Sequence, residues 1–175
     1  FDRSFLDYLR SFRFTGDIWA VPEGTLVFPQ EPLIRVHTTI LEAQLIESLL
    51  LNTINFQTLI ATKTARIYLA SENGTIAEFG LRRAQGVDGA LSAARAAYVG
   101  GASSSSNTLA GKRFGIPVTG TMAHSWVMAF ESEREAFERY ADLYPEKTIL
   151  LIDTFDTLGS GIDNAIEVGR RLKEK

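Results

Sequence analysis

Four groups of residues in the second half of this chain are of types that do chemistry. They are Arg82 and Arg83, the loop Gly101-Ala102-Ser103, Thr121 with His124, and Asp153 with Asp156. Arginines hold carboxylates or phosphates through a planar fork of donors. Ser103 opens the run Ser103-Ser104-Ser105-Ser106-Asn107, and Gly100-Gly101 before it lets backbone come close to a ligand. Gly120-Thr121 bring bare amides and a hydroxyl to the flank of the His124 imidazole, and helix N-termini favour anions. Two carboxylates complete the set.

Each group also has a plainer reading. Arg82 and Arg83 suit a solvated surface after a strand. The Ser run suits a linker or an N-cap. His124 suits a core histidine or a helix cap, and Asp153 an N-cap, although Asp156 and Thr157 stand nearer that role. His37 reads as structural or surface. Glu131-Ser132-Glu133-Arg134-Glu135 reads as a solvated helix face with i, i+4 pairs such as Glu135 and Arg139. Trp126, two residues after His124, reads as a core anchor for the loop.

The elements around these residues decide between the readings. Phe5, Tyr8, Leu9 and Phe12 recur at i, i+3, i+4, i+7, a short helix within 1–14 that Gly16 ends. Residues 19–29 are extended pieces broken by Pro and Gly, and 33–36 is a further strand candidate. Residues 39–65 lack Gly and Pro and predict one or two largely buried helices. From Thr75 onward strand candidates alternate with helices: 76–79 then 88–97, a weak 98–100 then 104–111, 116–120 then 125–144, and 148–153 then 161–173. Apolar runs alternating with amphipathic helices signal βα units and a parallel sheet buried on both faces. Four such units make half of a (β/α) barrel or a small open sheet. In a barrel, functional groups sit at the C-terminal ends of strands, and all four groups then converge on one rim.

Composition excludes several classes. The 175 residues are 45% hydrophobic and 22% charged, with 18 Lys+Arg against 21 Asp+Glu for a net charge of −3. That balance, without a basic cluster, argues against nucleic-acid binding. The absence of Cys excludes disulfides and Cys-ligated zinc, and two His cannot build a three-His site. No apolar run reaches the roughly 20 residues of a membrane-spanning helix. The chain opens on Phe1 without a signal-like segment, which suggests a piece of a larger protein.

Three stretches, in order, resemble nicotinate phosphoribosyltransferases: Glu78-Phe79-Gly80-Leu81-Arg82-Arg83-Ala84-Gln85-Gly86, Gly120-Thr121-Met122-Ala123-His124-Ser125-Trp126, and Asp153-Thr154-Phe155-Asp156-Thr157. The Leu/Asn/Thr-rich stretch 50–66 agrees too, and the similarity runs along nearly the whole chain. The resemblance implies a type II phosphoribosyltransferase fold. Residues 1–38 would be part of a smaller mixed α/β domain, 39–74 a helical connection, and 75–175 the first half of a (β/α) barrel. It implies a cytoplasmic homodimer that makes nicotinate mononucleotide from nicotinate and phosphoribosyl pyrophosphate, coupled to ATP, within NAD biosynthesis. Mg²⁺ would accompany ATP and phosphoribosyl pyrophosphate.

Residue by residue, His124 matches the histidine that the family phosphorylates. Thr121 matches a nicotinate-contacting position and Arg82 a substrate-contacting arginine. Asp153 matches an acidic position near ribose and metal. Ser103 lies where the nicotinamide-using relative has an aspartate; a hydroxyl there suits a carboxylate substrate, because facing carboxylates repel. The alternatives within and beyond this fold are a nicotinamide or quinolinate phosphoribosyltransferase and a non-catalytic βα scaffold. The N-terminal aromatic that stacks on pyridine, a further arginine and the glycine-rich 5-phosphate loop have no counterpart here. The chain thus reads as a central portion, with exposed sheet edges, expected to be inactive alone.

Overall fold

The computed structural model describes residues 1–174. They form two compact units, Phe1–Val118 and Thr119–Lys175.

The first unit begins with α1 (Arg3–Ser11), capped by the Asp2 side chain accepting from Ser4 N. Strands β1 (Asp17–Ala20) and β2 (Ile34–His37) pair antiparallel, with Asp17 opposite His37 and Ala20 opposite Ile34. His37 is therefore an exposed strand residue. The Arg35 guanidinium lies 4.4 Å from the centroid of the Trp19 ring opposite it. One continuous helix, α2 (Ile40–Ala70), follows. Its cap Thr39 accepts from Glu42 N, as the Thr-x-x-Glu pattern leads one to expect. The Glu42 carboxylate turns elsewhere: it accepts from the Thr38 hydroxyl and from the hydroxyl and amide of Thr15. These donors, the Thr38 hydroxyl foremost, hold its carboxyl below the usual carboxylate range.

Helix α3 (Gly86–Val99) packs along α2 through small side chains; Ala90, Ala94, Ala96 and Ala97 are all buried. The approach is close enough that a Cβ on Gly100 would stand 2.4 Å from the Ala61 carbonyl oxygen. The weak strand expected at 98–100 is the end of this helix, because the alanine-rich face that packs on α2 continues through Ala97. Strands β3 (Ala77–Glu78) and β4 (Ser104–Ser105) pair parallel, and Ser105 makes a further parallel bridge to Val118. The chain thus runs β3, α3, β4, α4 (Thr108–Phe114), then 118, with helices between successive parallel neighbours. Helix α4 starts later than 104, since Ser104 and Ser105 are strand and Asn107 is the cap, accepting from Leu109 N and Ala110 N. Leu91, Ala94, Ala110 and Ile116 close a small core between α3 and α4.

The second unit holds α5 (His124–Val127), α6 (Glu133–Leu143), a π-helical turn at Thr157–Gly161, and α7 (Ile162–Lys173). The helix expected over 125–144 is interrupted because Ser132 is extended and caps α6, accepting from Glu135 N. Met122, Val127, Ala136, Phe137, Ala141 and Val168 form its core, with Trp126, Leu150, Leu151 and Ile152 packed against them. The apolar run 148–153, expected as the strongest strand, has no ladder partner among the described residues. Leu150, Leu151 and Ile152 instead pack against this core. Glu133 also departs from its solvated reading. It is buried, and Asn164 Nδ2 of α7 donates to its Oε2 at 3.0 Å. Glu135 and Arg139 do pair on the exposed face, at 3.9 Å. Among the described residues no helix is long and apolar enough to cross a membrane.

Candidate active site

In the first unit, β3 ends in Phe79-Gly80 and a single 3₁₀ turn, Leu81–Arg83. Both Arg82 and Arg83 are exposed on it. Ser103 stands just before β4. Its amide and its hydroxyl both reach the Ile76 carbonyl oxygen, each at 2.9 Å. The Ser103 hydroxyl proton is thus committed to a protein carbonyl. To donate to a ligand it must turn from Ile76, whose carbonyl keeps the Ser103 amide. A cleft of about 410 Å³ opens beside β3, lined by Phe56, Ile60 and Lys63 of α2 and by Phe79, Arg83 and Gln85. Phe79 is an exposed aromatic beside cations, a feature the sequence reading passed over. Its signal was its place between Glu78 and Gly80 in the first motif.

In the second unit, Asp153 follows the packed run Leu150-Leu151-Ile152, and His124 opens α5. Two unrelated stretches meet here: His124 Nε2 lies 3.1 Å from Asp153 Oδ1, across 29 positions of sequence. A carboxylate only accepts hydrogen bonds, so the facing Nε2 donates; in the neutral ring Nδ1 is then the nitrogen that carries the lone pair. The carboxylate orients the ring and would stabilise positive charge on it. His124 is one-third exposed and Asp153 more than half, so both reach solvent. The loop is held by Trp126, whose Nε1 donates to Ala136 O at 3.1 Å and whose ring lies 5.0 Å from Phe130. The Thr121 hydroxyl donates to Met122 O at 2.9 Å. Asp156 caps the π-helical turn Thr157–Gly161, accepting from Gly159 N at 3.2 Å, while α7 itself follows Gly161 with no side-chain cap. That leaves Asp153 free of the capping role. No group of three or more His, Asp or Glu among the described residues could hold a metal ion by itself.

Comparison with known proteins bears directly on these motifs. The family model described as nicotinate phosphoribosyltransferase (NAPRTase) N-terminal domain matches residues 1–55. A nicotinate phosphoribosyltransferase of Mycobacterium tuberculosis is 50% identical over 172 residues, which is 98% of this chain and 37% of that protein. Along nearly its whole length the chain is similar to nicotinate phosphoribosyltransferases. The Bacillus subtilis member is 49% identical over 157 residues, 90% of this chain and 32% of its own length. The chain therefore spans about a third of the curated relatives it matches. Among solved structures, the human nicotinic acid phosphoribosyltransferase superposes with a TM-score of 0.84 at 34% identity, over 99% of this chain and 44% of that one. Nicotinate-nucleotide pyrophosphorylase from Pyrococcus furiosus superposes at 0.77 with 25% identity, over 89% of this chain and 39% of that one. The fold is the α/β type of these two enzymes.

Proposed function

We propose that this chain carries part of the active site of an enzyme that joins nicotinate to phosphoribosyl pyrophosphate, giving nicotinate mononucleotide and pyrophosphate, with ATP spent through His124. The observation that carries the reading is the contact between His124 Nε2 and Asp153 Oδ1 at 3.1 Å, both groups reaching solvent. The names of the relatives, nicotinate phosphoribosyltransferases at 49% and 50% identity, support the same substrate.

The imidazole is the nucleophile. Its lone-pair nitrogen attacks the γ-phosphorus of ATP, an N–P bond forms and ADP leaves. Asp153 steadies the ring and balances the positive charge that develops. Phosphorylated His124 adds acceptor oxygens and negative charge that organise the pyrophosphate end of the sugar donor. Hydrolysis of the N–P bond resets the residue. Arg82 grips the nicotinate carboxylate with its guanidinium fork, Ser103 and Thr121 contact the same substrate, and the pyridine nitrogen attacks C1 of the ribosyl group as pyrophosphate departs. Mg²⁺, brought by the phosphates, would supply charge neutralisation, and Asp153 would order a sugar hydroxyl or the metal's water shell.

The parallel neighbours β3, β4 and Val118 are taken as the first strands of a (β/α) barrel. Residues 1–38 belong to a smaller mixed domain joined by the helical 39–74. The complete protein is a cytoplasmic homodimer serving NAD biosynthesis by salvage, and the present stretch alone is inactive. The test supplies the full-length protein with phosphoribosyl pyrophosphate, Mg²⁺ and, in turn, nicotinate, nicotinamide and quinolinate, with and without ATP. Nicotinate mononucleotide formed with ADP release is expected. Turnover of another base in preference, or binding of nicotinate with no nucleotide formed, overturns the reading.

A further inference from the structure

The Glu78 carboxylate has no part in the chemistry above, yet it sits where two elements bearing substrate contacts meet. Glu78 is half-buried at the end of β3, opposite Ser105 of β4. Its Oε1 accepts from Gly80 N at 2.5 Å, the residue that starts the turn carrying Arg82. Its Oε2 accepts from the Ser105 hydroxyl at 2.6 Å. Ser105 is 1% exposed, and its hydroxyl oxygen accepts in turn from Asn107 N at 3.0 Å. The Glu78 carbonyl takes Ser106 N at 2.9 Å. Both carboxylate oxygens are thus engaged: one on the Arg82 turn, one on a buried serine two residues after Ser103. The fit is close, since a Cβ on Gly80 would stand 2.7 Å from Oε1.

Such geometry exceeds what a two-residue strand pair needs. The pair β3–β4 has its own backbone ladder, and the turn closes itself through Arg83 N donating to Gly80 O at 2.9 Å. What the carboxylate adds is a fixed angle between the end of β3 and the turn beyond it. Hydrogen bonds to a charged acceptor are stronger than neutral ones and hold such an angle well. The exposed Arg82 has no ion pair of its own to orient it among the described residues, so its backbone placement depends on this turn.

We infer that Glu78 is a positioning residue for nicotinate binding: by bridging Gly80 and Ser105 it sets the direction from which Arg82 meets the substrate carboxylate. This rests on the reading of Arg82 under the proposed function. A misplacement of about 1 Å in a binding group is enough to weaken a site strongly. Gln at 78 keeps the shape but is neutral, and with its oxygen on Gly80 N its NH₂ can only donate to Ser105, so both charge-assisted bonds are lost and the Ser105 hydroxyl proton loses its acceptor.

The test uses the full-length enzyme with nicotinate as the varied substrate at saturating phosphoribosyl pyrophosphate and ATP. E78Q is expected to raise KM for nicotinate about tenfold while kcat changes less than about twofold. Phosphate transfer from ATP to His124 should be unchanged. S105A, which spares the Gly80 bond, should raise KM about threefold, and it decides the matter should E78Q not fold. R82A should raise KM as well, and E78Q/R82A should be no weaker than R82A alone, because both act through one contact. A KM for E78Q and S105A equal to wild type, with R82A impaired, overturns the inference alone. So does full additivity in the double variant. A wild-type KM in R82A itself overturns the reading of Arg82 on which this inference stands.

Discussion

The two units hold their candidate functional side chains by different physical means. In Phe1–Val118, Ser103 and the turn bearing Arg82 are fixed by polar contacts: a short parallel ladder, the Ile76 carbonyl that takes two bonds from Ser103, and the Glu78 carboxylate. The core beneath is mostly alanine, so apolar area contributes little per residue. In Thr119–Lys175 the run leading to Asp153 has no ladder partner among the described residues. It and the His124 loop rest on an apolar core centred on Phe137, with Trp126 packed against it. A site built on ladders fails by angle, and one built on a core fails by unfolding.

Phe137 is fully buried, so Phe137→Ala should cost about 3–5 kcal/mol. Chemical denaturation should show that loss, and hydrogen exchange should concentrate it in 119–174. A loss below about 1 kcal/mol would mean that this core does not hold the His124 loop. In the polar unit the corresponding change acts on binding. Ser103→Asp should raise KM for nicotinate about tenfold, roughly 1.4 kcal/mol, with the melting temperature barely moved. An unchanged KM would remove Ser103 from the carboxylate's surroundings.

The smallest effect concerns acid stability. Glu42 titrates below its usual range because the Thr38 and Thr15 hydroxyls and the Thr15 amide bond its charged form. A carboxyl with a depressed folded value gives stability that is complete above its unfolded value, near 4.5, and fades as pH falls through the folded one. Glu42→Gln should therefore flatten the fall in melting temperature below about pH 4.5, while leaving the slope above pH 6 unchanged. An identical acid slope in both proteins would contradict the assignment.

Much of this was legible in the chain, for reasons that differ by element. The spacing of Phe5, Tyr8, Leu9 and Phe12 announces α1, and the turn chemistry of Asn107 announces a cap, because both signals are local. The run 148–153 misled because apolar β-branched residues suit a strand and a packed core segment equally. What distinguishes them is a partner, and partners are not local. The same limit hid Glu78: its bond to Ser105 spans 27 positions, and its charge in a two-residue strand looks like ordinary alternation. His124 and Asp153 were legible as candidates by type and by their place after apolar runs. Their contact across 29 positions is a product of the fold. Glu133 shows the converse, an acid in a charged run that the fold buries against Asn164.

The central claim is that His124, held by Asp153, accepts phosphate from ATP. The most direct measurement incubates the full-length protein with ATP labelled at the γ-phosphate, then maps acid-labile, base-stable phosphate by peptide sequencing. Label is expected on His124, none in His124→Ala, and slower labelling, by about tenfold or more, in Asp153→Asn. Label on another residue, or undiminished labelling in His124→Ala, would contradict it.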